Sequence, residues 1–340
     1  MNTQVTPLRS QAAKPLHALE VEHAGAGMRL RGTPLYLDAV QPTGLSFVSH
    51  AHSGHLARHE RILATAATLK LLTRRLGKLP SALPAPFHQP FSLEGIDLEL
   101  VPAGHILGSA QIRMTQKGRT VAYTGDLNTA RSLTAEAHGI AFCDVLVVES
   151  TFGMPRYRFP PREQTYEAVR DFARTTLSDG ATPVLFAHSL GKSQEVMKLL
   201  SDAGFSVAVH PSIADLADLY AELGCPLAHR RFDGEIKEGE VLVLPLHLTR
   251  SRALDQVGPA RTAILTGWAL DAETRYRYGT DVAIPLSDHA DFEGLLAYVA
   301  QTGARKVLTV HGFTKELAES LCHRGVDAQP LVTPRQLELF

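Results

Sequence analysis

Apolar and polar positions alternate in short runs through the first part of the chain, and this pattern predicts a β-rich region. One helix interrupts the runs, over Ala67–Leu76, because Leu69, Leu72 and Leu76 recur at helical spacing. Lys117-Gly118 lies between two alternating runs and predicts a hairpin turn. The predicted strands are Met28–Arg31, Leu35–Asp38, Leu45–Ser49, Ile96–Val101, Gln111–Gln116, Thr120–Thr124 and Val145–Glu149.

After Thr151 the pattern changes to strands that alternate with longer helical segments, which is typical of a parallel α/β unit. The proline-rich segment Met154–Pro161 lies at the change and predicts a crossing between domains. The predicted helices are Arg162–Leu177, Lys192–Ala203, Ile213–Leu223, Phe292–Gln301 and Lys315–Arg324. The predicted strands are Pro183–Ala187, Ser206–His210, Val241–Leu246, Thr262–Thr266, Val282–Pro285 and Lys306–Val310. Periodicity alone does not assign the C-terminal segment to either domain.

Composition narrows the class of protein. A length of 340 residues suits two domains of about 150 residues each, and 44% hydrophobic residues exclude a chain disordered throughout. A net charge of −1 excludes a globally basic nucleic-acid-binding protein but not a local basic groove. Cys143, Cys225 and Cys322 are too widely spaced for a disulfide framework, so we expect a reducing compartment. With neither a signal-peptide core nor a run of about 18 apolar residues, we expect a soluble, cytoplasmic protein with no membrane partner.

The strongest chemical signal is the cluster HAHSGH at residues 50–55, directly after an apolar run. Alternate residues of an extended chain point the same way, so His50 and His52 face one side, and a turn brings His55 to a second position. Imidazoles are the ligand type that suits zinc and its neighbours. A solvated histidine-rich loop is the alternative interpretation.

Two later residues favour a metal centre. His105 lies in AGHILGS and Asp126 in YTGDLN, each after a predicted strand. A carboxylate there can bridge two cations about 3.5–4 Å apart, the arrangement used in phosphoester hydrolysis. A turn-forming Asp after Gly is the alternative for Asp126 alone. The ordered series Asp38, residues 50–55, His105 and Asp126 is harder to explain without a metal.

In this order the four sites resemble the successive motifs of the metallo-β-lactamase superfamily. Glu149 in VVESTFG, His289 in LSDHADF and His311 in LTVHGF resemble the three further motifs of its β-CASP nuclease branch. The strings ESTFG, LGKSQE, TGWAL, LSDHADFEGLL and VHGF are most similar to the bacterial ligase-associated DNA exonucleases. The resemblance extends from about Leu35 to Ala328.

The resemblance implies an α/β fold, an αββα metallo-β-lactamase sandwich with an inserted α/β β-CASP domain. Residues 1–155 and 286–340 would form the sandwich, and residues 156–285 the inserted cap. The active site would lie in the cleft between the two domains.

The resemblance also implies two metal ions, with zinc expected and manganese as the alternative. The expected ligands are His50, His52, His105 and Asp126 for the first ion, and His55, Asp126 and His311 for the second. Asp38 is expected to orient the metal-binding loop. Gly54 stands where the family motif His-x-His-x-Asp-His has its Asp, so the second site lacks one ligand and one negative charge. Three outcomes stay open: another ligand fills the gap, the second metal binds weakly, or catalysis is impaired.

The implied reaction is metal-assisted hydrolysis of a phosphodiester, with Asp126 shared between the metals. His289 would protonate the leaving oxygen, and Glu149 would accept its other ring N–H. The alternatives are a helix N-terminal residue for His289 and a buried strand-end partner for Glu149.

Substrate binding is predicted at two places. Ser189 and Lys192 lie in SLGKS, which ends like a phosphate-binding loop, but Phe186 replaces its first Gly and excludes nucleoside-triphosphate binding. This helix start would hold a nucleic-acid phosphate, or be an ordinary strand-to-helix turn. Arg156 and Arg158 alternate with aromatic residues, a pattern that suits a groove for a single strand, with a solvated loop as the alternative.

The leading hypothesis is a metal-dependent DNA exonuclease that acts in repair beside a DNA ligase, with DNA favoured over RNA. An RNA-processing β-CASP nuclease would use the same metal chemistry. A nucleic-acid-binding protein without catalysis is a third hypothesis, which rests on Gly54. A small-molecule hydrolase such as a lactonase is disfavoured, because it has no use for an inserted cap.

Overall fold

The computed structural model describes residues 19–52, 57–251 and 257–331. In these ranges the fold is mixed α/β, with three β-sheets and seven α-helices. Across the same ranges, no helix has the length and apolar character needed to cross a membrane.

The first sheet is built from the N-terminal strands in chain order. Its first two pairings are antiparallel, and the rest are parallel. Helix α1 (Ala66–Leu76) connects the fifth strand to the sixth. The strands are β1 (Val21–Ala24), β2 (Gly27–Leu30), β3 (Leu35–Leu37), β4 (Leu45–Phe47), β5 (Ile62–Ala64) and β6 (Ala82–Pro84).

The second sheet has the order β19-β18-β11-β10-β9-β8-β7. It is parallel on the β19 side of β10 and antiparallel on the other side. Its strands are β7 (Phe91–Leu93), β8 (Ile96–Pro102), β9 (Ala110–Gln116), β10 (Arg119–Tyr123), β11 (Val145–Ser150), β18 (Lys306–Gly312) and β19 (Asp327–Pro330).

The first and second sheets share one apolar core, to which Leu37 and Phe47 contribute from one sheet and Ile112 and Val147 from the other. The opposite face of the second sheet is covered by α6 (Phe292–Thr302) and α7 (Thr314–Cys322). Side chains alternate across a strand, so Val147 enters the inter-sheet core while its neighbours in β11 contact these helices.

The third sheet has the order β14-β13-β15-β12-β16-β17, and all its strand pairs are parallel. Helices α2 (Arg162–Ser178), α3 (Lys192–Asp202) and α4 (Pro211–Glu222) pack against it in one cluster that also includes residues of α1. A short helix, α5 (Thr274–Tyr278), precedes its last strand. The strands are β12 (Thr182–Ala187), β13 (Ser206–Val209), β14 (Arg230–Arg231), β15 (Glu240–Pro245), β16 (Ala260–Leu265) and β17 (Val282–Ile284).

The chain leaves the second sheet after β11, forms the whole third sheet, and returns at β18, which pairs with β11. The assignment of residues 1–155 and 286–340 to one domain and 156–285 to another stays a prediction.

The structure confirms every predicted helix and strand, with ends that differ by at most two residues. The Lys117-Gly118 hairpin is also confirmed, since both residues have positive φ, as a type I′ turn requires. Two ends differ for clear reasons. The predicted strand that ends at Asp38 stops at Leu37, because Asp38 has φ 45°. Helix α4 begins earlier than predicted, because Pro211 occupies its first turn, where proline is favoured.

Candidate metal centre and active site

Three loops that follow β4, β8 and β10 bring four side chains together. One ligand atom from each of His50, His52, His105 and Asp126 lies within 4.8 Å of the others. His50 Nε2 is 3.3 Å and His105 Nε2 is 3.7 Å from Asp126 Oδ2, and His52 Nδ1 is 3.1 Å from His105 Nε2. The three imidazole rings stand nearly perpendicular to one another. The four residues expected to hold the first metal therefore meet at one point.

Two glycines allow the loops to approach so closely. Gly125 precedes Asp126 with φ 56°, and a Cβ there would lie 2.5 Å from the Cβ of Ser49. Gly104 precedes His105 with φ 77°, and its Cβ would lie 2.3 Å from a backbone carbonyl oxygen. Both positions combine a backbone conformation that disfavours side chains with a lack of space for one.

Asp38 contacts the metal loop through Ser49. Its carboxylate accepts hydrogen bonds from the Ser49 amide (2.7 Å), the Ser49 hydroxyl (2.6 Å) and the Tyr123 hydroxyl (2.7 Å). Because the Ser49 hydroxyl gives its proton to Asp38, its oxygen accepts from His50 Nδ1 at 2.9 Å. His50 therefore carries a proton on Nδ1, and its Nε2 lies toward the Asp126 carboxylate.

Backbone carbonyls determine which ring nitrogen of His52 and of His105 carries the proton. His52 Nε2 lies 3.1 Å from the Leu190 oxygen, and His105 Nδ1 lies 2.7 Å from the Asp288 oxygen. A carbonyl can only accept, so each of these nitrogens carries the ring proton. Burial lowers the pKa of His52 to about 3 and also lowers that of His105, so both rings are neutral at pH 7.

It follows that His52 Nδ1 and His105 Nε2 face each other at 3.1 Å with lone pairs. Two lone pairs at this separation repel, and a cation between them removes the repulsion. Neutral imidazoles beside a carboxylate form a donor set that suits zinc and its neighbours. The residues therefore fit a divalent cation.

Glu149 and His289 form a second pair beside this cluster. Glu149 is fully buried at the end of β11, and its Oε1 accepts from the Leu127 amide (2.7 Å) and from His289 Nδ1 (3.0 Å). The His289 ring centroid is 4.7 Å from that of His105. Burial alone would lower the pKa of His289, but the neighbouring carboxylates, Glu149 foremost, raise it to about 10. A protonated imidazole is therefore held next to the four ligands.

Of the residues expected to hold a second metal, only Asp126 and His311 lie in the described ranges. His311 has φ 59° at the end of β18, and the residue is exposed. It is not among the described residues whose ligand atoms cluster within 4.8 Å. His55 and Gly54 lie outside the described residues, so the second metal site stays a prediction.

A cavity of about 620 Å³ opens beside the cluster, and His52 and His289 are part of its lining. Arg74 and Arg75 line it from α1, and Ser189, Ser212 and His247 line it from segments of the third sheet. The cavity thus lies between α1 and the third sheet, and its lining also includes the carboxylates of Asp215 and Asp288.

The predicted substrate-binding residues have different surroundings. Ser189 lines the cavity. Lys192 is only 3% exposed, and its Nζ lies 3.0 Å from Asp288 Oδ1, so the ammonium is buried behind the cavity and is not presented to a phosphate. Arg156 and Arg158 are exposed and lie near the carboxylates of Asp271 (3.7 Å) and Glu293 (2.7 Å). The prediction that Lys192 contacts substrate is therefore revised.

Sequence reasoning missed several residues that orient the site. Ser49 and Asp288 each stand directly before a predicted histidine, which is a usable signal. Leu190 acts through its carbonyl oxygen, which no side-chain pattern reveals. Arg75, which donates to the carbonyl of Ala51 between His50 and His52, is predicted only as part of a helix.

No family model matches the chain. It is 39% identical over 316 residues to "Probable DNA ligase" of Opitutus terrae, a match that covers 92% of this chain and 31% of that protein. It is 25% identical over 309 residues to "DNA cross-link repair protein SNM1" of Arabidopsis thaliana, which covers 80% of this chain and 62% of that protein. It is 31% identical over 127 residues to "RNase aCSPSF2" of Saccharolobus solfataricus, which covers 36% of this chain and 25% of that protein. The chain therefore spans less than a third of the ligase.

Proposed function

This chain belongs to the β-CASP branch of the metallo-β-lactamase superfamily, and from this premise we propose that it is a metal-dependent exonuclease that hydrolyses phosphodiester bonds of DNA. Two of the relatives carry names that refer to DNA, a DNA ligase and a DNA cross-link repair protein. The match to the ligase covers nearly all of this chain, which supports a role in repair beside a ligase. We further propose a location in the cytoplasm.

The proposed architecture is the αββα sandwich with an inserted β-CASP domain over residues 156–285. The third sheet is formed wholly by residues between 182 and 284, which supports the insertion. The cavity between α1 and this sheet is the proposed binding cleft.

The observation that carries the proposal is the pair of facing lone pairs on His52 and His105, joined by His50 and Asp126. We propose that these four residues hold a zinc ion, with manganese as the alternative. A divalent cation held by these residues would activate water and would offset negative charge on the phosphate. A second, weaker ion is proposed at His55, Asp126 and His311, with Gly54 as the cause of the weakness.

The chain's own residues supply the proton and the orientation. Because Glu149 accepts from His289 Nδ1, the other ring nitrogen, Nε2, is the atom proposed to protonate the leaving oxygen. Ser189 and Arg75, which both line the cavity, are proposed to bind phosphates of the strand. The exposed guanidinium groups of Arg156 and Arg158 are proposed to contact the strand outside the cavity.

An RNA-processing activity is the second candidate, because another relative is named an RNase. The test is digestion of matched linear single-stranded DNA, circular single-stranded DNA and RNA after loading with zinc or manganese. We expect digestion of linear DNA only. Cleavage of RNA in preference to DNA would overturn the substrate proposal, and cleavage of the circle would overturn the exonuclease proposal.

Gly54 allows a separate test of the hypothesis that the protein binds nucleic acid without catalysis. We expect wild type to bind metal and digest DNA, and Gly54→Asp to bind the second ion more tightly. Binding of DNA without hydrolysis by both forms, in both metals, would contradict the proposed activity.

A further inference from the structure

The two histidines that face each other at 3.1 Å are both oriented from outside the first two sheets. The carbonyl that fixes His52 belongs to Leu190, in the segment between β12 and α3 of the third sheet. The carbonyl that fixes His105 belongs to Asp288, in the segment between β17 and α6. Two separate segments therefore decide which nitrogen of each ring is open to a metal.

A buried ion pair joins these two segments. Lys192 begins α3, two residues after Leu190, and its ammonium lies 3.0 Å from the Asp288 carboxylate. The two side chains are only 3% and 7% exposed. Taking one partner away leaves the other charge buried and unpaired, a large penalty, so the pair ties the segments firmly.

The Leu190 segment is also held tightly against the metal side of the molecule. Gly191 has φ 87°, and a Cβ there would lie 2.2 Å from the side chain of Ile106, the residue after His105. Gln194 closes the segment from the other side, since it accepts from the Gly191 amide at 2.7 Å and donates to the Ser189 carbonyl at 3.0 Å. The position of the Leu190 carbonyl is therefore set by fixed contacts on both sides.

We propose that Lys192 and Asp288 form a positioning pair that holds the Leu190 and Asp288 carbonyls in place and thereby preorganises His52 and His105 for metal binding. This inference rests on the proposed function of the same site. Lys192 acts through the backbone and does not touch substrate. The third sheet thus contributes to the metal affinity as well as to the binding cleft.

The first test uses the wild-type protein freed of metal. Nitrogen NMR of the histidine side chains is expected to show His52 protonated on Nε2 and His105 protonated on Nδ1. If either ring carried its proton on the other nitrogen, or were a mixture of the two tautomers, this result for wild type alone would overturn the proposal.

The second test is Lys192→Met, with Zn²⁺ affinity measured by competition against a chromophoric chelator. We expect the affinity to fall by about 10- to 100-fold, the usual effect of losing a partner behind the metal ligands. In this variant each of the two rings is expected to become a mixture of its two tautomers. Lys192→Arg retains the positive charge and is expected to restore most of the affinity.

Lys198→Met is the matched control, because Lys198 lies on the same helix and pairs with Asp202 in an exposed ion pair. Its Zn²⁺ affinity is expected to stay within about twofold of wild type, as for other exposed pairs. If Lys192→Met does not fold, Lys192→Met/Asp288→Asn removes both charges and keeps both carbonyls, and is expected to bind Zn²⁺ more weakly than wild type. Unchanged affinity and protonation in a folded variant would overturn the positioning pair. Loss of Zn²⁺ binding by wild type itself would instead overturn the proposed function.

Discussion

At the scale of single residues, the site is organised by the location of each imidazole proton. The Ser49 hydroxyl and two backbone carbonyls determine these locations for His50, His52 and His105. The outcome is a set of imidazole nitrogens that face a shared carboxylate, beside a His289 that keeps its proton.

Replacing Glu149 by Gln tests the proton on His289. The Glu149 carboxylate holds the pKa of His289 above its usual 6.5, so His289 stays protonated until the pH approaches about 10. Without the charge of Glu149, burial lowers the pKa of His289. His289 then loses its proton at a lower pH, so we expect activity to decline at a lower pH than in wild type. The pH–rate profile of kcat measures this. Glu293→Gln removes an exposed carboxylate that pairs with Arg158 and serves as control, with no shift expected. An unshifted profile for Glu149→Gln would contradict the assignment of His289.

For single residues, the sequence is sufficient to predict the metal ligands but not the orientation of their rings. His50, His52, His105 and Asp126 are predicted because short motifs at strand ends carry them. Their carbonyl partners lie 138 residues from His52 and 183 residues from His105. A contact over such separations depends on how the sheets pack, and a carbonyl is common to every residue.

At the scale of elements, the periodic segments are the predictable ones. Long helices such as α2 and buried strands such as β11 have strong patterns, and their bounds are predicted within two residues. Short strands such as β6 and β7 are missed, because each has three residues and none of them is buried. Their extended conformation depends on the strands they pair with, because their own sequences have little preference for β-structure.

Replacing Thr65 by Ala tests how helix α1 is attached to the loop that carries Gly108. The Thr65 side chain accepts from the Thr68 amide at 3.1 Å as the helix N-cap and donates to the Gly108 carbonyl at 2.7 Å. Thr65→Ala removes both bonds, and we expect a loss of about 1–2 kcal/mol in the free energy of unfolding, measured with urea. Thr73→Ala, on the exposed face of the same helix, is the control and is expected to change stability by about 0.5 kcal/mol or less. Equal effects at the two positions would contradict the capping role.

At the scale of the whole molecule, the chain is nearly neutral, and its cavity is lined by two arginines as well as by Asp215 and Asp288. Arg74 and Arg75 line it together with Ser212 and His247, next to the metal cluster. A local positive field in a cleft attracts phosphates even when the net charge is −1. The net charge does not exclude a local basic groove, but the position of such a groove depends on how α1 packs near the third sheet.

Ser212→Asp tests this field, because it adds a negative charge at the cavity wall away from the predicted ligands. We expect KM for single-stranded DNA to rise about tenfold at low salt with kcat nearly unchanged, and the difference to shrink at high salt as charges are screened. Ser206→Asp, at an exposed residue of β13 that does not line this cavity, is the control and is expected to behave like wild type. A KM that does not respond to Ser212→Asp would contradict binding in this cavity.

Four donor atoms from distant parts of the chain are proposed to hold one cation. Anomalous diffraction at the absorption edge of zinc, from crystals grown with Zn²⁺, tests this proposal most directly. We expect a peak about 2.0–2.2 Å from His50 Nε2, His52 Nδ1, His105 Nε2 and Asp126 Oδ2. A zinc-loaded crystal with no peak at that point, or with His52 bound through Nε2, would contradict it.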